Sequence, residues 1–584
     1  MNGWEEGRLD APGDGRSAAE RRRFRLRVDG MTCTGCERHV AEALRSAGAE
    51  EVSADFRRGE ALFLYAGRPD PARLGEAVAA AGYRAGELVE LEEAEPVPTD
   101  RRGHGKPGGG GPGGGGRYDL VILGSGSAAF AAAIRASQAG ARVAMVERAT
   151  VGGTCVNVGC VPSKYLLRAS EIHDLAGQGG YPGLGTRAEA VDLPALMAGK
   201  EALVEGLRRE KYTDLIAEYG WEMVEGEASF LDGGRVRVRG PEGERVLEGE
   251  RFLVATGAVP AVPPLPGLEE AGYLTSSEVL ALGRLPRSVA VLGAGYVALE
   301  LGQFLARLGA EVTLMQRGPR LLPRHEPEIG EALRQLLEEQ GIRLLAGVRP
   351  ERVERTAAGR LVRYRDASGQ PGAVEAEEVL VATGRRPATE ALALERAGVA
   401  LAPGGGVAVD GRLRSTNPAV FAAGDVTGGP QYVYVAAHEG KLAAENALGL
   451  GARDLDLSLV PSVIFTRPAV ASVGLTEARA REAGYPVRSA VLPAEALARA
   501  RVNGAARGLY KLVADASGGR LLGAHLLAEE AGEVIYAAAL ALRGGLTVAD
   551  LAESLAPYLT MGEGLRLAAL AFDQEVSRLS CCAG

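Results

Sequence analysis

Two cysteines separated by four residues, Cys155 and Cys160, form the pattern in this sequence best suited to chemistry. Glycines surround both of them, and a Pro-Ser-Lys segment follows at 162–164. Such a pair can close a small redox disulfide or, when reduced, offer two thiolates to one soft metal ion. We therefore examined the rest of the chain for parts that would bring electrons and a substrate to this pair.

All six cysteines of the chain fall into close pairs, and none is left over. The pairs are Cys33 with Cys36, Cys155 with Cys160, and Cys581 with Cys582. Cysteines that serve only as small buried hydrophobic residues would be scattered singly. The pairing favours three sites at which thiols act together.

The first pair lies in a segment, residues 22–92, whose pattern predicts the order βαββαβ. Alternation at 23–28 predicts a strand, helical spacing follows from 40 to 47, and a second helix over 74–81 precedes a last strand over 88–91. This is the order of a small ferredoxin-like module. It places Cys33 and Cys36 on a loop at the start of a helix, whose N-terminus stabilises thiolates. A thioredoxin-type redox pair is the alternative, but the order of elements disfavours it.

Two flexible segments flank this module. Residues 1–21 are predicted to be a disordered N-terminus, and residues 93–117 to be a glycine-rich linker. The module is therefore predicted to be tethered, which raises its effective concentration at a partner site on the same protein.

A dinucleotide-binding fingerprint begins the next region. A buried strand runs into Gly124 and Gly126, Ala129 takes the third glycine position, and Glu147 ends the following strand. Tight glycines let a helix N-terminus meet a pyrophosphate, and the acid can bind ribose hydroxyls. Strand, turn, helix and acid are all in place, which makes this match far stronger than a lone glycine motif.

The fingerprint recurs at Gly293 and Gly295, but its acid is missing. The position equivalent to Glu147 holds Gln316, and Arg317 follows. A cation beside the missing acid favours a 2′-phosphate, and so NADPH over NADH. The alternative is that Arg317 is simply a solvated surface residue.

Further segments complete a two-nucleotide enzyme. Near-duplicate Ala-Thr-Gly segments at 255–257 and 382–384 close the two nucleotide regions, and Gly424-Asp425 suits a flavin's ribityl and phosphate chain. We predict an α/β chain with two Rossmann-type domains and an α+β dimerisation domain after the ferredoxin-like module. The predicted boundaries are 118–268 and 388–458 for the two parts of the FAD domain, 269–387 for the NADPH domain and 459–584 for the dimerisation domain.

Composition narrows the classes of partner. The net charge of −9 disfavours nucleic acid. No run of eighteen apolar residues predicts a membrane span, and the N-terminus has no signal-peptide core. We expect no stable membrane association, a cytoplasmic protein and no structural disulfides.

From Tyr118 to the C-terminus, the two fingerprints, the Gly-Gly-Thr-Cys155 segment with Cys160, and Gly424-Asp425 resemble the FAD-dependent pyridine nucleotide–disulfide oxidoreductases. The Gly-Met-Thr-Cys33 segment with Cys36 resembles heavy-metal-associated domains. Within the oxidoreductase family the similarity is greatest to the branch that reduces Hg(II). That similarity rests on the N-terminal module, the 557–564 segment and the terminal Cys-Cys-Ala-Gly.

Tyr558 marks the departure from the disulfide-reducing members, which carry a histidine at this position. Dithiol–disulfide exchange needs a general acid–base to move protons between sulfurs. Moving Hg(II) between thiolates needs no such shuttle, and a phenol can instead bind or steer the metal.

The resemblance implies a role for each site residue. Cys160 would be the thiolate at the flavin and Cys155 the outer thiol, with Tyr212 and Tyr558 flanking the mercury site. Lys164, paired with Glu300, would lie near the flavin, and Tyr296 would cover the nicotinamide pocket. The residues implied to hold FAD are Gly124, Gly126, Ala129, Glu147, Thr154, Ala228, Gly424, Asp425 and Val433. Those implied to hold NADPH are Gly293, Gly295, Tyr296 and Arg317.

The implied reaction is NADPH-dependent reduction of Hg(II) to Hg(0) in a homodimer. Hg(II) would arrive as a thiol complex and pass from Cys33/Cys36 to Cys581/Cys582 of the partner subunit and then to Cys155/Cys160. Two alternatives stay open: a thioredoxin-reductase-like disulfide reductase, and a metal-buffering protein whose flavin domain keeps thiols reduced.

Overall fold

The computed structural model describes residues 21–30, 34–55, 58–91 and 117–575. These residues form two units, divided between residues 106 and 107. The predicted N-terminal segment 1–21, apart from its last residue, and the predicted linker 93–117, apart from its last residue, lie outside the described residues.

The N-terminal unit has the predicted order βαββαβ. Its elements are β1 (Arg21–Asp29), α1 (Thr34–Ser46), β2 (Glu50–Asp55), β3 (Glu60–Ala66), α2 (Pro71–Ala80) and β4 (Arg84–Leu91). The antiparallel sheet has the order β2-β3-β1-β4, and alternate residues of β1 (Phe24, Leu26 and Val28) are buried beneath the two helices. The ferredoxin-like prediction is confirmed.

Helix α2 and strand β4 both begin earlier than the sequence pattern predicts. The side chain of Asp70 accepts a hydrogen bond from the Ala72 N–H, and Pro71 begins the helix. An N-cap followed by proline is a strong start signal that apolar spacing alone does not register. Strand β4 begins at Arg84 because β1 pairs with it from Asp29 onward, across a bulge.

The second unit opens with a first nucleotide region built on a mainly parallel sheet. Its elements are β5 (Tyr118–Leu123), α3 (Ser127–Gln138), β6 (Val143–Glu147), α4 (Gly153–Val158), α5 (Cys160–Gln178), α6 (Leu193–Arg208), α7 (Asp214–Tyr219), β7 (Glu222–Glu225), β8 (Glu227–Asp232), β9 (Arg235–Gly240), β10 (Gly243–Val254) and β11 (Ala258–Pro260). The sheet order is β7-β6-β5-β10-β9-β8, in which β8 and β9 pair antiparallel. Strand β5 is apolar on both faces, as expected of a strand covered by helices on both sides.

A second nucleotide region follows. Its elements are α8 (Leu268–Ala271), α9 (Ser276–Val279), β12 (Ser288–Leu292), α10 (Tyr296–Arg307), β13 (Glu311–Gln316), α11 (Pro327–Glu339), β14 (Arg343–Ala346), β15 (Arg349–Arg355), β16 (Arg360–Arg365), β17 (Pro371–Ala376), β18 (Glu378–Val381) and β19 (Arg385–Pro387). The parallel sheet has the order β14-β13-β12-β18, and β15, β16 and β17 form an antiparallel sheet. The short strand β19 pairs with β11 of the first region.

The chain then returns to the first region through β20 (Val420–Ala422) and α12 (Val433–Ala447). Strand β20 pairs with β10, and α12 packs against α3. A β-carbon on Gly440 of α12 would lie 2.0 Å from the Ala128 carbonyl oxygen of α3. Only glycine allows the two helix backbones to approach this closely.

The C-terminal domain is an antiparallel sheet covered by helices. Its elements are β21 (Ser462–Ile464), β22 (Ala469–Gly474), α13 (Glu477–Glu482), β23 (Val487–Pro493), α14 (Ala498–Val502), β24 (Leu509–Asp515), β25 (Leu521–Ala528), α15 (Ala531–Arg543), α16 (Val548–Glu553) and α17 (Glu563–Leu570). The sheet order is β21-β22-β25-β24-β23. No helix in the described part of the chain is both long enough and apolar enough to cross a bilayer.

A buried ion cluster joins the C-terminal domain to the second nucleotide region. The Lys511 ammonium, 2% exposed, lies 2.9 Å from Glu326, 2.8 Å from Glu328 and 3.0 Å from Glu477. A buried charge is tolerated only when it is paired and hydrogen-bonded in this way.

Candidate active site

Cys155 and Cys160 lie on consecutive short elements, in α4 and at the first position of α5. Gly159 separates the two helices, and a β-carbon there would lie 2.8 Å from the Thr154 carbonyl oxygen. Glycine therefore permits the tight turn that brings the sulfurs together. Both cysteines are free thiols, partly buried, and their side chains hydrogen-bond to each other.

The two thiols differ in acidity. The hydrogen bond from Cys155, aided by the Lys164 ammonium, lowers the pKa of Cys160 to about 7 against the opposing effect of burial. The pKa of Cys155 is raised, because its hydrogen bond to Cys160 and its burial both favour the protonated form. As the pH rises above about 7, the reduced pair therefore comes to hold one thiolate, on Cys160, and one thiol, on Cys155.

Lys164, one turn after Cys160, joins the two nucleotide regions at this point. Its Nζ lies 2.7 Å from Oε2 of Glu300 in α10, the partner that the resemblance implied. The other oxygen of Glu300 accepts the Phe465 N–H at 2.9 Å, and the ammonium lies 4.6 Å from the centre of the Phe465 ring. Three parts of the fold therefore fix the cation beside the thiols.

Tyr212 reaches the same place from a π-helical turn, Arg209–Thr213, between α6 and α7. Its ring packs edge-on against Phe130, with centroids 4.8 Å apart, and its hydroxyl hydrogen-bonds to Ser127. Burial raises the pKa of Tyr212, and the nearby Cys155 and Cys160 raise it further. Such π turns often mark functional sites.

The ends of β5 and β6 open onto a cavity of about 190 Å³ whose lining includes Gly124, Glu147 and Ala228. Glu147 accepts hydrogen bonds from the Ser125 hydroxyl at 2.6 Å and the Ala149 N–H at 2.8 Å. A β-carbon on Gly124 would lie 2.4 Å from the Ala255 carbonyl oxygen, and its φ is +104°. This fits a nucleotide whose ribose meets the carboxylate and whose pyrophosphate meets the glycine turn.

The remaining residues implied to hold FAD lie around this turn. Gly126 caps α3, Ala129 is fully buried, and Thr154 is exposed on α4. Val433 begins α12. The Gly424 N–H donates to Glu439 at 2.6 Å, and burial raises the pKa of the adjacent Asp425 against the opposing charge of Arg385. The residues present therefore fit FAD.

In the second region, a β-carbon on Gly293 would lie 2.4 Å from the Ala382 carbonyl oxygen. Gly295 caps α10, which begins at Tyr296, and Arg317 is exposed just after β13. These residues fit a second dinucleotide. The Tyr296 hydroxyl forms a hydrogen bond with Nε2 of His325, at 2.7 Å.

The other predicted site residues lie elsewhere. Tyr558 lies in a turn before α17 and is 50% exposed. Cys33, Cys581 and Cys582 lie outside the described residues, and Cys36 is described only as a position in α1.

Several side chains at the site were missed by sequence reasoning, namely Ser125, Phe465, Glu439 and His325. Ser125 stands between the fingerprint glycines, so its contact with Glu147 had a local signal. The others meet their partners across distant parts of the chain, as when Phe465 meets Lys164, and no spacing rule reveals such contacts.

Comparison with known proteins agrees with this arrangement. The family model described as pyridine nucleotide-disulphide oxidoreductase matches residues 118–440, and the dimerisation domain of the same family matches residues 460–569. The heavy-metal-associated domain model matches residues 25–84. The chain belongs to the pyridine nucleotide-disulphide oxidoreductase family, with a heavy-metal-associated domain at its N-terminus. The family uses FAD and NADPH.

Individual relatives are more specific. The chain is 51% identical to a mercuric reductase of Staphylococcus aureus, over 96% of this chain and 99% of that one. It is 49% identical to a mercuric reductase of Bacillus cereus, over 96% and 87%. Among solved structures, the HOCl-induced flavoprotein disulfide reductase RclA from Escherichia coli is similar with a TM-score of 0.70 and 31% identity, covering 78% of this chain and 99% of that one.

Proposed function

We propose that this chain reduces Hg(II) to Hg(0) with electrons from NADPH. The observation that carries the proposal is the pair of free thiols, Cys155 and Cys160, beside the Lys164–Glu300 ion pair and Tyr212. Near-full-length similarity to mercuric reductases supports it. A thioredoxin-reductase-like activity is not favoured, since Tyr558 stands where disulfide-reducing members carry histidine.

The pair captures the metal by thiol exchange. The Cys160 thiolate attacks Hg(II) held by two small thiolates and displaces the first of them. Cys155 then displaces the second, and its proton leaves on the departing thiolate. Soft ions prefer sulfur, so each exchange keeps the metal two-coordinate in thiolates.

Surrounding residues hold the metal for reduction. Lys164 stabilises the negative charge on Cys160, and Glu300 keeps the ammonium in place. Burial raises the pKa of the Tyr212 hydroxyl, which therefore stays protonated near neutral pH, and the nearby Cys155 and Cys160 raise it further, so the phenol is close enough to steer the bound ion. When bound, FAD would supply the two electrons that NADPH provides, so that Hg(II) and NADPH would give Hg(0), NADP⁺ and one proton.

The assay that tests this function is NADPH oxidation by the full chain, with release of volatile mercury measured in parallel. Hg(II) in excess small thiol should drive turnover, whereas a dithiol-reducible disulfide should not. Cu(II) is included because RclA has been crystallised as a Cu(II) complex. Cys160→Ser should abolish turnover, and Ser517→Ala, at an exposed position, is the control. NADPH oxidation by disulfide alone would contradict the proposal.

We further propose that the C-terminal cysteines pass Hg(II) to the inner pair of the other subunit. The match to the dimerisation domain supports a two-subunit assembly. A mixed dimer of one subunit lacking Cys155 and one lacking Cys581 and Cys582 tests this relay, using mercury bound to a bulky dithiol. Transfer across the dimer predicts about one active site per dimer, and an inactive mixed dimer with full FAD would refute it.

We also propose that the N-terminal module delivers mercury when the metal is scarce. Strand β5 begins at Tyr118, which is 4% exposed, so the flavin-binding unit starts with its own core. Deleting residues 1–117 should leave FAD binding and turnover with excess small thiol intact. Turnover should fall when Hg(II) is limiting or held by protein thiols. Loss of FAD would place the boundary elsewhere.

Because NADPH and reduced thiols are cytosolic, we propose the cytoplasm as the compartment.

A further inference from the structure

A chain of hydrogen-bonded side chains holds the Tyr296 phenol. Its hydroxyl lies 2.7 Å from Nε2 of His325, whose Nδ1 lies 3.1 Å from the hydroxyl of Ser472. The pKa of Tyr432 is raised by burial and further by the Tyr296 hydroxyl, which therefore lies close to the Tyr432 phenol. Ser462 and Ser472 are paired on β21 and β22, and the Ser462 hydroxyl donates to the Ser472 carbonyl at 3.4 Å.

These side chains connect the region implied to bind NADPH with the region implied to bind FAD. Tyr432 directly precedes Val433, which begins α12 and which the resemblance implies holds FAD. One turn beyond Tyr296 on α10, Glu300 holds Lys164 beside the thiols. A phenol that extends from α10 to Tyr432 therefore crosses from the NADPH side to the FAD side.

His325 is suited to hold the phenol there. Burial, with some repulsion from His525, lowers the pKa of His325 to about 4, so its ring is neutral at working pH. A neutral imidazole has one acceptor and one donor nitrogen. With Tyr296 donating to Nε2, the Nδ1–H donates to Ser472, and both nitrogens are satisfied. Ser472 is 8% exposed, which limits competition from water.

We propose that His325 is a positioning residue that holds Tyr296 across the nicotinamide pocket, so that the nicotinamide must break the Tyr296–His325 hydrogen bond to enter. The inference rests on the proposed function only in that the second nucleotide region binds NADPH. The hydrogen bond keeps the nicotinamide pocket covered when no cofactor is bound, and it lowers the affinity for the cofactor because it must be broken on binding. Removing the hydrogen bond makes displacement of the tyrosine easier.

The test is calorimetric binding of NADP⁺ to the oxidised, FAD-loaded full chain. His325→Phe keeps a ring of similar size without its nitrogens and should tighten NADP⁺ binding about three- to tenfold, the value of one buried neutral hydrogen bond. Tyr296→Phe should do the same. The double variant should gain no more than either single one, because the two residues share one bond.

Further variants separate positioning from a general packing role. His325→Gln, whose amide can both donate and accept, should restore binding to the parent value. Ser472→Ala should give a smaller gain of about two- to threefold, and serves if His325→Phe folds poorly. His173→Phe is the matched control, since His173 bonds only to the Glu189 carbonyl, at 3.0 Å, among the described contacts. Steady-state KM for NADPH should fall in step with the dissociation constant, with kcat changed much less.

Unchanged or weaker binding in both folded His325→Phe and Ser472→Ala would overturn the proposal. Additive gains in the double variant would also overturn it. Because NADP⁺ binding needs no mercury, either result would leave the Hg(II) assay standing, and failure of the Hg(II) assay would leave this result standing.

Discussion

The two nucleotide regions begin with the same strand–turn–helix unit and end it differently. In each, a β-carbon on the first fingerprint glycine, Gly124 or Gly293, would lie 2.4 Å from a carbonyl oxygen of the strand that closes the region. In each, the last fingerprint glycine caps the helix that follows. Both regions therefore use a glycine in the same way, to let the turn approach a backbone carbonyl closely.

The side chains at the end of the second strand differ. Glu147 is held by the Ser125 hydroxyl and the Ala149 N–H, with its carboxylate at the cavity. The equivalent Gln316 has a weak contact with the Arg320 carbonyl at 3.5 Å, and Arg317 beside it is exposed. From this difference we expect the glycine turn to admit a dinucleotide and the residue at the strand end to select which one.

The largest effect should come from breaking the shared feature. Gly124→Ala adds a β-carbon against a backbone carbonyl and requires a left-handed φ, which by itself costs about 1–3 kcal/mol. We expect this variant to purify with little FAD. Gly293→Ala, its matched counterpart, should keep FAD and lose NADP⁺ binding. Flavin absorbance per chain and NADP⁺ calorimetry measure the two outcomes. Full FAD in Gly124→Ala would show that the turn is not a cofactor contact.

Removing the carboxylate should weaken FAD by a smaller amount. Glu147→Ala loses charge-assisted hydrogen bonds to the ribose, so FAD affinity should fall roughly ten- to a hundredfold. Gln316→Ala is the equivalent change in the other region and should barely alter NADPH affinity. Rebinding of FAD to flavin-stripped protein, followed by fluorescence, gives both the loss and its control. Equal losses in both regions would remove the distinction drawn between them.

Exchanging the preference of the second region should have a moderate effect. Arg317 is exposed, so its contact with a 2′-phosphate is screened by solvent. Arg317→Ala should raise the KM for NADPH about five- to twentyfold and that for NADH less than about threefold. Gln316→Glu should favour NADH. Steady-state kinetics of each variant with NADPH and with NADH measure this preference. Similar rises in KM for both nucleotides in Arg317→Ala would mean that Arg317 is a solvated surface residue without a role in binding the 2′-phosphate.

The smallest effect concerns Lys164, where the regions meet. The Cys160 pKa of about 7 means that its thiolate fraction rises as pH increases through neutrality. Lys164→Met removes a nearby positive charge, so this titration should move up toward the ordinary thiol value of about 8.5. Site-resolved alkylation of reduced Cys160 across pH reports the midpoint, with the exposed Lys441→Met as control. A midpoint that stays at its parent value would exclude Lys164 as a cause.

Local sequence patterns were sufficient to predict much of the fold and part of the site. The glycine turns, the order βαββαβ and the proximity of Cys155 to Cys160 depend on residues close in sequence, so spacing predicts them. The pairing of Lys164 with Glu300 spans 136 residues, and only the family resemblance suggested it.

Long-range contacts and backbone irregularities could not be predicted. His325 meets Ser472 across 147 residues, and its place depends on how the C-terminal sheet packs on the second region. The π-helical turn at Arg209–Thr213, which carries Tyr212, was likewise not predicted from the sequence.

That π-helical turn has a consequence for how the helical run packs. An α-helix advances about 100° per residue, and one inserted residue shifts the phase of everything after it. Before the turn, Leu193 and Met197 face the core shared with the second region, whereas after it Leu215 and Ile216 face the core of the first. Deleting one residue from 209–211 would convert the π-helical turn to an ordinary α-helical turn. The apolar residues of α6 and α7 would then face the same side, so one of the two helices would turn its apolar residues away from its core. Tyr212 therefore lies at the point where the helical run stops packing against one hydrophobic core and begins to pack against the other.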